Sequence, residues 1–542
     1  MIEKRMRRLL HPRYIRESML FVSVLSVLLV LVGAVKPPPK QSANVKIVEL
    51  KQADVLLKRS GLEAQILKDN VILYHEGAFM YCDSAYLFEE TNSFEAFSNV
   101  RMEQGDTLFV YGDYLYYDGN TRLARLRDNI RMEDNQATLF TDSLNYDRNE
   151  NLGYYFDGGM LVDDDNELTS FWGQYDPDSK DALFSNTVKL VNEKFTIFSD
   201  TLKYNTESKV ADLLGPSTIV SDSGYIVTSR GWYNTDTEDA RLFDRSEIYS
   251  NDTTKVLIGD TIYYNRLSGD AEVYGNMYME DFKQKAILYG NFGTYNEKTE
   301  YGMATDSAYV VDYSQSDSLF LHGDSLMMMT DSIYKDIKAY YNVRFFRNDM
   351  QGVCDSMNYV QRDSVLYLLG NPVIWNGENQ VLGDRIDIHL NDTAIDMAHV
   401  RDYALAIQSR QKDGQYNQIS GRDMKIYFDE NKLKHLLVDG NAESLYYLVE
   451  GDSIGSIIGL NRTESAYLSM DFENDELAKL KLWPTTKAVV TPLSLLTPTE
   501  AVLKGFMWLD YLRPKYNMDI FRRNERSAED SGVKAPRKFK RE

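Results

Sequence analysis

Between residues 80 and 483 apolar and polar residues alternate in short runs with a period of two, and the i, i+3, i+4 recurrence of an amphipathic helix is missing. One recurrent run reads apolar-x-Asp-x-apolar-x-Tyr. Its clearest copies are Tyr111-x-Asp113-x-Leu115-x-Tyr117, Phe140-x-Asp142-x-Leu144-x-Tyr146, Phe198-x-Asp200-x-Leu202-x-Tyr204, Ile258-x-Asp260-x-Ile262-x-Tyr264 and Val353-x-Asp355-x-Met357-x-Tyr359. The aspartates stand at 83, 113, 142, 200, 260, 324, 355 and 384, so they are one or two periods of about 30 residues apart. Degenerate copies around Tyr175, Tyr233 and Tyr295, and weaker ones near Tyr427 and Tyr467, fill the gaps and bring the array to about thirteen units. A second run follows each first: a small or apolar residue, Leu or Val two on, then Gly or Asp and often Asn, as in Ala124-x-Leu126-x-Asp128-Asn129 and Ala271-x-Val273-x-Gly275-Asn276. Turn residues separate the runs at 118–121, 147–151 and 265–269, so each unit is predicted to be a hairpin of two long strands. Units that cross two sheets would add layers about 4.8 Å apart, roughly 120 Å in all.

Asp and Gly are poor strand formers, and their recurrence in mid-strand asks for a reason. A strand that bends from one sheet into another supplies it, with Gly or a capping carboxylate at the bend. A calcium ladder is the rival explanation and is disfavoured, because the nine-residue Gly/Asp period of calcium-binding β-rolls is absent. The residues in phase with the aspartate, Leu115, Tyr117, Leu144, Tyr146, Leu202, Tyr204, Ile262, Tyr264, Met357 and Tyr359, are expected to line the interior. Periodicity leaves open whether that interior is a dry core or a trough for an apolar ligand. Cys82 and Cys354 occupy the same slot in different units, which argues against a bridge between them.

The ends differ from the array. Lys4, Arg5, Arg7, Arg8, Arg13 and Arg16 precede an apolar run from Met19 to Val35, so residues 1–40 read as a signal peptide, either cleaved or retained as an N-terminal membrane anchor. After Trp483-Pro484 the pattern stops. Residues 484–521 are expected to form a C-terminal cap with a short helix starting near Thr497, with Val502, Phe506 and Leu509 on its apolar face, and 522–542 a disordered basic tail. The net charge of −22 becomes about −31 once the basic ends are set aside, which speaks against nucleic acid as a partner. The six histidines show no metal-ligand spacing, no G-x-S-x-G is present, and Asp163-Asp164-Asp165-Asn166-Glu167 reads as a turn. No cofactor and no catalytic residue is assigned.

Cys82-Asp83-Ser84-Ala85, Gly105-Asp106-Thr107-Leu108, Gly112-Asp113-x-Leu115-x-Tyr117-Asp118, Asn99-Val100, Gly275-Asn276, Gly158-Gly159 and Gly215-Pro216 together resemble the OstA family. That family comprises the periplasmic bridge protein of lipopolysaccharide transport and the OstA-like proteins of Bacteroidetes type. The resemblance spans residues 44–483 and implies an elongated, open-ended antiparallel β-jellyroll whose two sheets form a trough for acyl chains, with the ten interior residues above as its lipid-binding groove. It further implies a periplasmic location, lipopolysaccharide or another acylated lipid as ligand, and other bridge components as partners through the terminal strand edges. The chain departs from the family in its repeat number, in having no amphipathic barrel strands after residue 483, and in its acidic middle. Two other classes stay open: a structural or adhesive β-rod without lipid, and a polysaccharide-acting β-helix enzyme.

Overall fold

The computed structural model describes residues 46–523 apart from 332–333, 392–393, 411–413, 430–431, 450–456 and 474–475. The signal or anchor segment 1–40 and nearly all of the basic tail 522–542 therefore lie outside the described residues. Within them the chain is built of antiparallel strands and a few 3-10 turns. None of its helices is long and apolar enough to cross a membrane, among the described residues.

The bend predicted at the repeat aspartate sets the architecture. In strand Phe195–Asn205, residues 195–199 pair with 221–217, whereas residues 202–205 pair with 213–210. One strand thus belongs to two sheets, and the register slips between them. In the neighbouring strand the slip is taken up by two consecutive left-handed residues. Asp69 and Asn70, Ser98 and Asn99, Asp128 and Asn129, Gly275 and Asn276, and Tyr341 and Asn342 are such pairs. Asn, Asp and Gly reach this conformation at least cost, which explains the Gly/Asp-Asn signature. The aspartate's carboxylate accepts from the side-chain amide of that Asn: Asn99 to Asp83 at 2.7 Å, Asn129 to Asp113 at 2.5 Å, Asn276 to Asp260 at 2.6 Å and Asn342 to Asp324 at 2.7 Å. The recurrent aspartate is a corner post.

Repeating this bend yields an open antiparallel β-jellyroll with two walls, in which pairing joins strands close in sequence. The chain divides into two units, one of Met1–Ile130 with Asn145–Glu150 and one of Arg131–Leu144 with Asn151–Glu542. In the second unit one wall runs through 159–162, 167–170, 188–191, 195–199, 217–221 and 224–228, and continues to 487–492. The other runs through 173–176, 181–185, 202–205, 210–213 and 231–234, and continues to 476–483. The smaller unit repeats the plan, with Leu108–Asp118 shared between partners 100–104 and 93–97. Hairpin turns lie where they were predicted: Arg122 N donates to Asp118 O at 2.7 Å, Asn149 N to Asp147 Oδ1 at 2.8 Å and Gly269 N to Asn265 O at 2.8 Å. The core is a single apolar layer between the walls. Tyr155 shows how tightly it is filled, because a Cβ added to Gly159 or Gly173 would sit 2.6 or 2.5 Å from its ring.

The helix expected near Thr497 does not form. Leu493–Leu495, Asp510–Leu512 and Asn517–Phe521 are 3-10 turns, and the stretches between them are irregular.

Candidate functional site

The interior between the walls is the site to which the sequence points. Of the ten predicted lining residues, nine are buried in the interior of their own unit. Leu115, Tyr117 and Tyr146 in the smaller unit, and Leu144, Leu202, Tyr204, Ile262, Tyr264 and Met357 in the larger, are buried, and Tyr359 is half-buried. Those of the larger unit all belong to the wall that follows the corner. The opposite wall escaped the sequence reading, because the corner flips the alternation: Ile197 and Ser199 precede Asp200 and are buried, Asp200 is exposed, and Leu202 and Tyr204 are buried again. Ile197, Ile219 and Ile226 line that second wall.

Opposite the corners, the turns of the two walls meet and are joined by ion pairs. Asp134, in a turn of one wall, receives Lys180 from a turn of the other at 2.9 Å, and Asp163 receives Lys209 at 3.0 Å. The polarity then reverses, with Lys194 on Glu238 at 2.9 Å and Lys255 on Glu300 at 2.9 Å. Arg266 spans Glu238 at 2.5 Å and Asp222 at 2.6 Å. The last tyrosine of a repeat reaches these pairs from inside. Tyr175 donates to Asp134 at 2.7 Å, and Tyr204 donates to Asp163 at 2.5 Å while accepting from Asn166 Nδ2 at 2.9 Å. The smaller unit has its own version: Arg148 donates to Tyr117 Oη at 2.8 Å, to His75 O at 3.1 Å and to Glu76 O at 3.0 Å, and Arg122 pairs with Glu76. These contacts latch the mouth. The acidic turn at 163–167 is thus more than a solvated loop, since Asp163 and Asn166 are buried within a latch.

Charge balance sets the protonation of the latches. Burial alone would push the Glu238 carboxyl up, but hydrogen bonds from Arg266 and Lys194 outweigh it and hold the group below the usual glutamate range. Asp134 is held low against burial in the same way, by Tyr175, Lys180 and two backbone amides. Glu297 goes the other way, pushed up by burial beside the Tyr264 hydroxyl. The tyrosine hydroxyls stay protonated, because burial and neighbouring carboxylates raise Tyr175, Tyr204 and Tyr264.

Between 219 and 297 the interior widens to a cavity of about 210 Å³. Ile219, Ile226, Ile248, Val256 and Met279 supply apolar lining, while Arg266, Lys255 and Glu297 supply polar lining. Beyond Tyr309 the C-terminal segment packs its apolar side chains against the interior. Leu503 is buried among Leu405, Ile407, Leu445, Tyr447 and Leu460, and Leu509 and Leu512 pack on Val353, Val373 and Trp375. At its far end Phe521 meets Tyr309 and His322, with ring centroids 5.3 and 4.6 Å away.

Residues 45–200 match the model of a family described as OstA-like protein. That stretch is OstA-like. Among solved structures, one similar chain is LptH, the LptA homologous periplasmic component of the conserved lipopolysaccharide transport device from Pseudomonas aeruginosa. It aligns at 13% identity over 26% of this chain and 95% of its own, with a TM-score of 0.21. No curated protein matches the chain. The OstA-like region takes in Leu115, Tyr117, Leu144 and Tyr146, the latches at Glu76 and Asp134, and Asp163 but not its partner Lys209. Both free cysteines are buried, and burial pushes each thiol up to about 12.

Proposed function

We propose that this chain is a periplasmic bridge or scaffold of lipopolysaccharide transport that holds acyl chains between its two walls. The observation that carries this reading is an OstA-like region whose alternating Leu and Tyr positions face inward, continued by the same repeat into an apolar cavity at 219–297. An acyl chain needs apolar surface withdrawn from water, and such surface contributes about 25 cal/mol per Å² buried. The ligand is lipopolysaccharide or another acylated lipid, with its head group outside the walls. Because the walls meet at latched turns, entry from the side requires ion pairs to part. The acidic middle disfavours direct contact with an anionic head group, which divalent cations would bridge. Terminal strand edges would receive other bridge components, and residues 1–40 would hold or release the chain at the inner membrane.

A photocrosslinking amino acid at 144, 202 or 262 tests this in cells. These positions are buried inside, and lipid should be captured there and not at 145, 203 or 263, whose side chains lie on the other face. Leu202→Arg should weaken the outer-membrane barrier at unchanged protein abundance. A second reading is favoured by the closeness of the packing, since Leu144, Leu202 and Ile262 are fully buried by the protein itself. On that reading the interior is an ordinary core of a structural rod, and neither face captures lipid.

A further inference from the structure

The downstream interior carries polar residues where the upstream walls carry aliphatic ones. Gln380 and Gln418 are buried at 0% and 1% exposure on the wall that the C-terminal segment covers. Each grips that segment's main chain at two points. Gln418 Nε2 donates to Ala501 O at 3.0 Å and its Oε1 accepts from Leu503 N at 2.8 Å. Gln380 Nε2 donates to Met507 O at 2.7 Å and its Oε1 accepts from Leu509 N at 2.8 Å. The grips fall six residues apart along the segment, and later residues of the segment meet earlier repeats. Two further contacts continue the run: Arg344 donates to Leu512 O at 2.6 Å, and Arg513 donates to Gln351 Oε1 at 2.7 Å. Gln351 and Arg344 are themselves buried.

This is recognition of a polypeptide backbone. A primary amide that donates to residue i and accepts from residue i+2 satisfies both of its own buried functions and two main-chain groups. A hydrocarbon chain in the same place would pair with neither, leaving Gln380 with only the indole N–H of Trp375 and Gln418 with only Tyr416 O, and the rest of both buried amides unsatisfied, an outcome less favourable than the present one.

We infer that residues 501–521 are the resident occupant of the interior between Tyr309 and Leu460, and that an apolar ligand is confined to the part upstream of Tyr309. The confinement rests on the lipid reading given above, whereas the occupancy does not. The segment ends the apolar path at Phe521, next to Tyr309, whose ring stacks on Tyr289 at 4.4 Å. The repeats beyond Tyr309 therefore hold the chain's own C-terminal segment, and the cavity at 219–297 lies upstream of its end.

Amide hydrogen exchange on the purified full chain decides it, read at Leu503 and Leu509 without and with purified lipopolysaccharide. Binding is followed separately by crosslinking from a photoreactive residue at 226. Both amides should exchange more than about a hundredfold slower than in an unstructured peptide, and equally slowly when lipid is captured at 226. Rapid exchange in the free chain would show that the segment is not resident, and slow exchange that becomes rapid on lipid capture would show displacement; either overturns the inference. No capture at 226 with both amides still protected would instead sink the lipid reading and leave the occupant in place. The double variant Gln380→Leu with Gln418→Leu keeps apolar volume and removes the grips. Exchange at both amides should then rise about tenfold or more while amides of strand Phe195–Asn205 stay as they were. If Leu503 and Leu509 stay as protected in that variant, the glutamines do not hold the segment.

Discussion

Replacing Glu238 by Gln removes the charge on which one latch turns. The Glu238 side chain is fully buried and accepts from Arg266 at 2.5 Å and from Lys194 at 2.9 Å. Breaking a buried pair by removing one partner costs about 3–5 kcal/mol, because the other charge is stranded. Here Lys194 is half in water and Arg266 keeps Asp222 at 2.6 Å, so the lower end applies, about 3 kcal/mol. In a repeat fold each unit touches mainly its neighbours, and the loss should stay local. Exchange of amides in Asp239–Ser250 and Lys255–Asn265 should quicken about 150-fold at neutral pH, the equivalent of that energy, while strand Ser93–Gln104 is unchanged. The pH dependence fixes the cause. The folded-state pKa of Glu238 lies below its unfolded value of 4.5, so its contribution is complete above 4.5 and disappears as the pH falls through the folded value. The parent protein should lose protection in these strands over that acid range, and the variant should not show this step. An exchange rate within threefold of the parent at neutral pH, or an identical acid profile in the two proteins, would refute the latch argument.

Gly173→Ala places a methyl 2.5 Å from the Tyr155 ring, which is walled in on its other side by Gly159; overpacking should cost about 1–3 kcal/mol, read as a lower thermal midpoint, while Ala at Gly302, whose added methyl would come no closer than 3.5 Å to a neighbour, serves as control. Asn129→Ala removes both the amide on Asp113 and a residue suited to the left-handed corner, for a loss of about 1–2 kcal/mol, and Asn129→Gly should restore the backbone share of it in the same urea titration. His322 is buried, donates Nδ1–H to Ala308 O at 2.7 Å and packs on Phe521; burial lowers its pKa, while Asp324 raises it and Arg344 and Arg523 lower it. Its neutral form is favoured on folding, so stability at this contact should be complete above pH 6.5 and fall as the pH drops below that, measured as amide exchange in Leu319–His322.

The strand period, the thirty-residue repeat and the hairpin turns were legible because each is a local statement. Alternation names the buried face, and Asn, Asp and Gly name the turn. The interior was half legible. Counting in twos from Asp200 finds Leu202 and Tyr204, but a corner at the aspartate inserts an extra outward residue, so counting backwards in the same phase misses Ile197 and Ser199. The latches were not legible at all. Lys180, Lys209, Glu238 and Glu300 recur one or two repeats apart at left-handed turn positions, but their partners lie 44 to 46 residues away, and the sign of the column reverses between Lys209 and Glu238. A periodic search for one residue type cannot register a column in which lysine and glutamate exchange places.

The C-terminal segment shows how a pattern can be present and still mislead. Val502, Phe506 and Leu509 stand four and three residues apart, which is helical spacing, and Thr497 with Glu500 forms one half of a capping box, Thr497 N donating to Glu500 Oε2 at 3.0 Å, while the Thr497 hydroxyl donates to the same oxygen at 2.6 Å and Glu500 N turns to Thr497 O at 3.1 Å. A helix satisfies its own main chain, and its length is set by that internal bonding. Gln418 and Gln380 offer the main chain a different set of partners, at Ala501 and Leu503 and again at Met507 and Leu509. An irregular, turning path through those two grips brings Leu503, Phe506, Trp508, Leu509 and Leu512 onto the wall, whereas a helix over the same stretch would turn part of that apolar set away from it. The deciding residues lie 83 to 129 positions upstream of the ones they control, inside strands whose alternation reads normally apart from an amide at a buried position. Local spacing proposes a helix, and a distant pair of glutamines overrules it.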